Sequence, residues 1–335
     1  MKILYTILIF VFVSSCTKDE PKAVVLQGNA FGTTYTIQYF SEETFETERG
    51  IDSVFYAVNK SVSTYMPNSD ISKINRGDST VVIDNIFKEV YEISEGVYLK
   101  SGGYFDPTIG VLRNAYGFGD VKPLEIIDST TLDSLRQFVG FQKVTLTSEN
   151  KIKKEHPEIY FDFNAVAKGY GIDCLGNYLE TLGVDNYLIE LGGEILAKGM
   201  NVAKGAQWVA GVENVDSNLE DRTYETVIGI SNLGMASSGN YRKFRIDSLT
   251  GKRYVHTLNP LTGSAEKNDV TSATVLAPTC ALADAYATTF MALGLERSKE
   301  LLTELSNIEA YLTYTDDSNT PKVFMTQGFE KRVLK

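Results

Sequence analysis

The order of strand-like and helix-like segments is the feature of this sequence that most restricts its fold. Alternation of apolar residues predicts a strand over residues 30–39, and residues 187–191 and 227–230 are also predicted to be strands. Helical periodicity predicts helices over residues 41–59, 86–99, 162–183 and 279–294, with a glycine-rich loop and helical fragments over 97–118. Strands and helices are therefore mixed without strict alternation, which predicts the α+β class rather than a doubly wound parallel sheet.

Local signals mark the ends of two of these helices. Asp162 and Asn164 stand where a helix N-cap is expected, and Gly183 follows the last apolar position of the same helix. Thr279 is placed to cap the last long helix, and Gly294 to end it. No G-x-G-x-x-G follows a strand and opens a helix, so a dinucleotide site of the Rossmann type is not predicted.

Composition excludes several classes of protein. The 335 residues include 43 acidic and 32 basic side chains, so the formal charge is −11. This negative charge, without a basic cluster, argues against nucleic-acid binding. Hydrophobic residues make up 43% and charged residues 22%, as in globular rather than disordered proteins. The length is compatible with one large domain or two small ones.

The first residues resemble a secretion signal. Lys2 supplies a positive charge, and residues 3–13 form an apolar run shorter than the roughly 20 residues that a membrane-spanning helix needs. Ser14 and Ser15 then precede Cys16, as in a bacterial lipoprotein signal, where the cysteine sulfur receives diacylglycerol. A plain signal peptide with an incidental cysteine is the alternative. The predicted division is a signal peptide over 1–15, a lipidated tether over 16–29 and one folded domain over 30–335.

The two remaining cysteines, Cys174 and Cys280, leave two interpretations open. They could pair in an oxidising compartment, or they could be two buried and inert thiols, which the sequence favours. The chain contains no C-x-x-C pair and no cluster of cysteine and histidine, so a zinc site is not expected.

Several short segments carry polar, aromatic and glycine residues in patterns that suggest a functional site. In chain order they are FGTTY (31–35), STY (63–65), SDISKIN (69–75), GGYFDPT (102–108), DFNAVAKGY (162–170), GGE (192–194), SSGNYR (237–242), HTLNPLTG (256–263) and ADAYAT (283–288).

At these segments the chain resembles the FAD:protein FMN transferases, the ApbE-type flavin transferases also known as a thiamine biosynthesis lipoprotein family. The resemblance runs from about residue 31 to residue 294, with the motifs in the family's order. It implies an α+β fold related to the T-fold, with mixed sheets, helices packed on them and a single catalytic unit. It also implies magnesium-dependent transfer of FMN from FAD to a Thr or Ser hydroxyl of an acceptor protein, with release of AMP.

The resemblance implies a metal site in the ADAYAT segment. Asp284 and Thr288 are spaced i, i+4, so one helical face presents a carboxylate and a hydroxyl. By resemblance these side chains bind Mg²⁺, together with a backbone oxygen near Ala165; oxygen ligands suit this cation. The alternative for Asp284 is an exposed helical acid, but alanines at 281, 283, 285 and 287 suggest close packing.

The resemblance also implies a binding site for the flavin nucleotide. Asp162 could instead cap a helix, Lys168 could be a surface lysine, and aromatic residues in general are more often part of a core. Gly169 after the lysine permits a close backbone approach, which favours a contact with the ligand. The residues assigned to FAD binding are Phe31, Tyr65, Tyr104, Phe105, Asp106, Asp162, Lys168 and Leu258.

His256 is the predicted catalytic base. The resemblance implies that it takes the proton from the acceptor hydroxyl, and an imidazole with an ordinary pKa of about 6.5 suits that task. Residues 259–263 are expected to form the turn that orients it, although a structural histidine in a hairpin is the alternative. His156 is expected to be exposed. The chain departs from the family pattern at Phe31, where methionine is usual, and at Asn240 and Asn259, where an acid is usual.

Two other activities are compatible with the same motifs. One is a magnesium-dependent FAD pyrophosphatase that gives FMN and AMP, and the other is a non-catalytic FAD-binding lipoprotein. The expected partners are FAD, an acceptor protein of a membrane or extracytoplasmic redox complex, and the membrane itself through a lipid on Cys16. The expected location is therefore extracytoplasmic, on the periplasmic side of a bacterial membrane, with inner and outer membrane both open.

Overall fold

The computed structural model describes residues 22–43, 45–125, 127–214, 223–240, 244–246, 251, 253–265 and 267–334. The strands within these residues are β1 (Lys22–Ala30), β2 (Thr33–Ser41), β3 (Val144–Leu146), β4 (Ile152–Lys154), β5 (Tyr187–Leu191), β6 (Glu194–Lys198), β7 (Trp208–Glu213), β8 (Tyr224–Ile230), β9 (Leu233–Gly239), β10 (Phe244–Ile246), β11 (Arg253–Val255), β12 (Val270–Ala277), β13 (Glu309–Thr315) and β14 (Pro321–Met325). The helices are α1 (Thr47–Val62), α2 (Asp70–Asn75), α3 (Asn85–Lys100), α4 (Gly110–Tyr116), α5 (Ser129–Arg136), α6 (Ala167–Thr181), α7 (Cys280–Leu293), α8 (Leu295–Glu304) and α9 (Gln327–Glu330), with 3₁₀ turns at Phe141–Lys143 and Val202–Lys204.

An eight-stranded sheet is the centre of the fold. Its strand order is β1-β2-β5-β6-β9-β12-β13-β14, and every neighbouring pair in it is antiparallel. Three two-stranded ribbons, β3-β4, β7-β8 and β10-β11, accompany the sheet. Helices and antiparallel strands are combined without β-α-β alternation, so the predicted α+β class is confirmed.

The two faces of the sheet are covered differently. Helices α6 and α7 pack on one face, where small side chains on α7 allow close contact with β9 and β12. The opposite face is covered by the β7-β8 ribbon and by α9, with Trp208, Ile228 and Phe329 fully buried between the layers. Further helices extend the core beyond α7, where Phe87 on α3 meets Phe161 and Phe163 edge to face. The functional segments therefore project from rigid, well-packed elements.

Helix ends were predicted with mixed success. The helix that begins after Thr279 is observed, with the Thr279 hydroxyl accepting a hydrogen bond from the N–H of Leu282 and Gly294 at its end. The helix predicted over 86–99 is α3. The prediction that Asp162 caps the next helix was wrong, because α6 begins only at Ala167 and no side chain of its own N-cap residue caps it.

The first hairpin also differs from the prediction. Residues 22–29, which were assigned to the tether, belong with Ala30 to β1, which pairs with β2 from Lys22 opposite Ser41 to Ala30 opposite Thr33. This pairing also explains why α1 begins at Thr47 rather than at residue 41, because Ser41 still belongs to β2. Strand β1 lies at the edge of the sheet and is partly exposed along its length, so it lacks the apolar alternation by which β2 was recognised.

Some predictions lie outside the described residues. Cys16, the signal segment over 1–15 and the first part of the tether are among them, as are Tyr241 and Arg242 of the SSGNYR segment. Within the described ranges, no helix has both the length and the apolar character needed to cross a membrane.

Candidate active site

One cavity brings the predicted site residues together. Its volume is about 1190 Å³, above the range of about 300 to 1,000 Å³ typical of small-molecule sites, so a dinucleotide can be accommodated. Its walls are formed by the β1-β2 turn, α1, the loop before α4, the β5-β6 hairpin, β9 and α7. The predicted residues that line it are Phe31, Tyr65, Tyr104, Phe105, Asp106, Asp162, Ala165, Lys168, His256, Leu258, Asp284 and Thr288.

Asp284 is held in the wall of this cavity by a contact between two helices. Its Oδ2 accepts a hydrogen bond of 3.1 Å from the backbone N–H of Gly169, in the first turn of α6. A Cβ added at Gly169 would lie 2.4 Å from the carbonyl oxygen of Cys280, so the two helix backbones touch there. From the sequence, Gly169 was expected to permit a close approach of the backbone to the ligand. A close approach is observed, but the neighbour is helix α7. Asp284 is buried rather than an exposed helical acid.

The groups around Asp284 suit a hard cation. Thr288 lies one turn further along α7, with its hydroxyl oxygen 3.2 Å from that of Ser238, and Ala165 lines the same cavity. Among the described residues, the bond from Gly169 is the only hydrogen bond that Asp284 accepts. No group of three or more His, Cys, Asp or Glu side chains in the described ranges forms a metal site by itself. A Mg²⁺ site here thus needs the hydroxyl and carbonyl oxygens as well as the carboxylate, and such an all-oxygen set fits this ion.

Lys168 and the buried Glu194 form an ion pair in the cavity wall that also holds Asp284. Lys168 Nζ lies 2.5 Å from Glu194 Oε2, and the Glu194 side chain is only 5% exposed. Burial opposes the charge on Lys168, but the carboxylates of Glu194 and Asp284 outweigh this effect and raise its pKa. Burial raises the pKa of Asp284 and of Glu194, and Lys168 opposes both shifts. Glu194 was recognised only as part of the GGE segment, without a role, because its partner is distant in sequence.

Asp162 makes an ion pair instead of a helix cap. Its Oδ2 lies 2.7 Å from Arg113 Nε on α4, and its Oδ1 accepts a hydrogen bond from the backbone N–H of Asn164. Asp162 and Arg113 both line the cavity. Arg113 was not predicted as a site residue, since a lone arginine in a helical fragment carries no sequence signal of its own. The ion pair fixes the Arg113 guanidinium at the wall of the cavity, with its charge balanced by Asp162.

Asp106 lies in the loop before α4, and its carboxylate accepts the hydrogen bonds that hold this loop. One carboxylate oxygen accepts hydrogen bonds from the backbone N–H and the hydroxyl of Thr108, and the other accepts from the N–H of Phe141. Burial raises the pKa of Asp106 to about 6, although these hydrogen bonds oppose the shift. Among the described residues, the hydrogen bonds of Asp106 therefore hold a loop that forms part of the cavity wall.

The aromatic residues of the site differ in how accessible they are. Tyr65 is 63% exposed, whereas Phe105 is buried. The guanidinium carbon of Arg297 lies 5.0 Å from the centre of the Tyr104 ring, so the two side chains make a cation–π contact. Phe31 has a φ of 50° in the β1-β2 turn, and its ring meets Phe55 edge to face. The ring of Phe31 is therefore packed against the helical layer as well as facing the cavity.

His256 follows β11 at the wall of the cavity. Its ring centre lies 6.5 Å from that of Phe118, which also lines the cavity. The turn predicted after it is observed: Asn259 Oδ1 accepts hydrogen bonds from the N–H groups of Leu261 and Thr262. This turn needs an oxygen acceptor and no charge, so asparagine can replace the usual acid at 259.

The remaining predictions concern His156 and the two cysteines, which do not line the cavity. His156 is exposed, as expected, and its ring centre lies 5.7 Å from that of Phe138 in a T-shaped contact. Cys174 and Cys280 are both free thiols, so they do not pair. Burial raises the pKa of both, to about 11 for Cys174, which makes the thiolate forms scarce and the thiols inert.

Comparisons with known proteins identify the family of this chain. The model of the ApbE family matches residues 31–312. A Haemophilus influenzae protein named FAD:protein FMN transferase is 34% identical over 319 residues, which cover 91% of this chain and 90% of that protein. A Vibrio cholerae protein of the same name is 33% identical and 85% of each chain is covered. The solved structure of a flavin transferase ApbE from Vibrio cholerae has a TM-score of 0.82 and 30% identity, covering 93% of this chain and 99% of that chain. This chain therefore belongs to the ApbE family.

Proposed function

We propose that this protein is an FAD:protein FMN transferase that moves FMN from FAD to a Thr or Ser hydroxyl of an acceptor protein and releases AMP, with Mg²⁺ as its cofactor. The observation that carries the proposal is the single cavity in which a histidine, a buried aspartate with a hydroxyl one turn away, and a lysine with aromatic side chains meet. The names of the relatives support the same activity.

The chain's own residues bind and orient FAD. Tyr65 and Tyr104 offer ring faces to the flavin or the adenine, and Lys168 and Arg113 supply positive charge for the two phosphates. Asp284 and Thr288, with the backbone oxygen of Ala165, would hold Mg²⁺. A bound Mg²⁺ neutralises charge on the phosphates and on the oxygen that leaves.

The transfer itself requires a base and a defined leaving group. His256 takes the proton of the acceptor hydroxyl, and the hydroxyl oxygen then attacks the phosphorus on the FMN side of the pyrophosphate. The bond between that phosphorus and the bridging oxygen breaks, and AMP leaves with this oxygen and its electron pair. The new bond is a phosphoester between the acceptor and FMN. Because phosphoryl transfer depends mainly on positioning and on charge neutralisation, the protein has no covalent step of its own.

The test is a flavinylation assay. The protein is incubated with FAD, MgCl₂ and proteins extracted from its native membrane, and the products are separated on a denaturing gel and by chromatography for AMP. We expect a fluorescent acceptor band together with AMP, and neither with an Asp284→Ala variant. FMN and AMP without a labelled band would favour the pyrophosphatase. Tight FAD binding without AMP would favour a non-catalytic flavin-binding lipoprotein.

We also propose that the protein acts at the extracytoplasmic face of a bacterial membrane, anchored through a lipid on Cys16. The support is the sequence Ser14-Ser15-Cys16 after a short apolar run. An anchored enzyme would be held near an acceptor in a membrane redox complex. Cells fed radiolabelled palmitate should label the parent protein and not a Cys16→Ser variant, and the variant should leave the membrane fraction. Equal labelling of both would contradict the anchor.

A further inference from the structure

Two lysine–glutamate pairs connect α6 to β6, and they differ in their surroundings. Near the end of α6, Glu180 pairs with Lys198 at 2.7 Å, and both side chains are about one-third exposed, at 38% and 33%. Near the start of α6, Lys168 pairs with Glu194 at 2.5 Å; Lys168 is 29% exposed, much like Lys198, but Glu194 is only 5% exposed, so the two pairs differ in the burial of the glutamate. The first pair is a surface contact, of the kind that contributes little to stability. The second lies in the wall of the candidate active site.

A third charge lies in the same cavity wall as this pair. Asp284 lines the cavity together with Lys168 and Glu194, and its carboxylate adds to the attraction that Glu194 exerts on the Lys168 ammonium group. The three charges leave one net negative charge at the place where a divalent cation is proposed to bind. If Glu194 lost its charge, Asp284 would be the carboxylate that still attracts the partly buried Lys168 ammonium group.

The position of Glu194 is determined by the β5-β6 hairpin. Gly192 and Gly193 form the turn with φ values of 62° and 107°, a conformation that favours glycine. The N–H of Gly193 donates to Glu190 Oε1 at 2.8 Å, and Glu194 then pairs with Leu191 as the first residue of β6. A rigid turn thus fixes the carboxylate that meets Lys168.

We propose that Glu194 is a positioning residue that binds Lys168 and thereby leaves the carboxylate of Asp284 available to a divalent cation. The inference rests on the proposed metal site. In this arrangement Glu194 does not contact the cation. It prevents Lys168 from occupying the carboxylate that the cation needs, and it keeps the ammonium group directed along the cavity wall where the phosphates of FAD would lie.

The test measures metal binding directly, without turnover. Mn²⁺, whose free form has a strong electron paramagnetic resonance signal, is titrated into the full-length protein without FAD. Glu194→Gln should weaken Mn²⁺ binding about tenfold, because second-layer partners of metal sites typically have effects of about 10- to 100-fold. The double variant Lys168→Met with Glu194→Gln has no competing ammonium group and restores the net charge. We expect its affinity for Mn²⁺ to return to near that of the parent.

The control is Glu180→Gln, which removes the other ion pair between α6 and β6. It should leave Mn²⁺ affinity unchanged, and circular dichroism should show that all variants fold. A double variant as weak as Glu194→Gln alone would overturn the inference, since Glu194 would then be a ligand itself. Equal affinities for Glu194→Gln and the parent would overturn it as well. If the parent and Asp284→Ala bind Mn²⁺ equally, the proposed metal site itself fails, and the inference fails with it.

Discussion

The carboxylate of Asp284, on α7, accepts a hydrogen bond from the backbone N–H of Gly169, on the first turn of α6. The reverse contact also exists, because Asp173 on α6 accepts hydrogen bonds of 2.8 Å from the N–H groups of Cys280 and Ala281 at the start of α7. Each helix therefore caps the N-terminus of the other and satisfies donors that have no partner within their own helix. The candidate metal ligand is thus placed by backbone contacts.

The cap from Asp173 is expected to be important for stability. Asp173→Ala leaves two N–H groups in the helix interface without an acceptor, and each such group costs about 1 to 3 kcal/mol. We expect the free energy of unfolding to fall by at least about 2 kcal/mol. The control is Asp128→Ala, which removes the exposed cap of α5, a helix without buried residues. Urea unfolding should show a clearly smaller loss for the control, and equal losses would contradict mutual capping as a stabilising device.

The close contact at Gly169 gives a second prediction. A Cβ at this position would lie 2.4 Å from the Cys280 oxygen and 2.8 Å from the Ala281 nitrogen, both backbone atoms. Gly169→Ala must therefore separate α6 from α7, at a cost of about 3 kcal/mol in the free energy of unfolding. The matched control is Gly96→Ala in α3, where a Cβ meets nothing within 4 Å. That change should stabilise the protein by about 0.5 to 1 kcal/mol through helix propensity. Thermal unfolding of both variants would reveal opposite shifts, and a stabilised Gly169→Ala would refute the contact.

The sequence was sufficient to predict features that depend on nearby residues. The last long helix could be recognised from Thr279 and Gly294, because a cap and a terminator act within one turn of the helix. Strand β5 was predicted over its full length, from Tyr187 to Leu191. The motif residues of the site were recognised by resemblance, and the fold brings them to one cavity.

Features that depend on tertiary contacts were not predictable in this way. Aspartate is a residue type that often caps helices, which is why Asp162 was predicted to do so. In the structure its carboxylate oxygens instead pair with Arg113 and accept a hydrogen bond from the backbone N–H of Asn164. Glu194 meets Lys168 only because α6 packs against β6. Neither partner can be chosen from sequence, since many lysines and arginines would serve equally well until the fold selects one.

The catalytic role proposed for His256 can be tested separately from FAD binding. Because the proposed base acts on the acceptor hydroxyl, His256→Ala should retain FAD affinity within about twofold while the transfer rate falls about 10²- to 10⁴-fold, the usual range for loss of a general base. FAD affinity is measured by flavin fluorescence, and transfer by the labelled acceptor band. The control is His156→Ala, at an exposed position outside the cavity. Parent-like transfer by His256→Ala would remove this histidine from the mechanism.

The buried carboxyl of Asp106 makes stability depend on pH. Its pKa is raised to about 6 in the folded protein, mainly by burial, from an ordinary value of 3.8. Between these values the folded state holds a proton that the unfolded state has lost, so the contribution of Asp106 to stability is fully present below pH 3.8 and is lost as the pH rises through 6. Asp106→Asn removes this dependence. The stability difference between parent and variant should therefore shrink by about 2 to 3 kcal/mol between pH 4 and pH 7, as urea unfolding at several pH values can measure. A difference that stays constant or grows over this interval would show that the loop hydrogen bonds from Thr108 and Phe141 keep the carboxylate ionised.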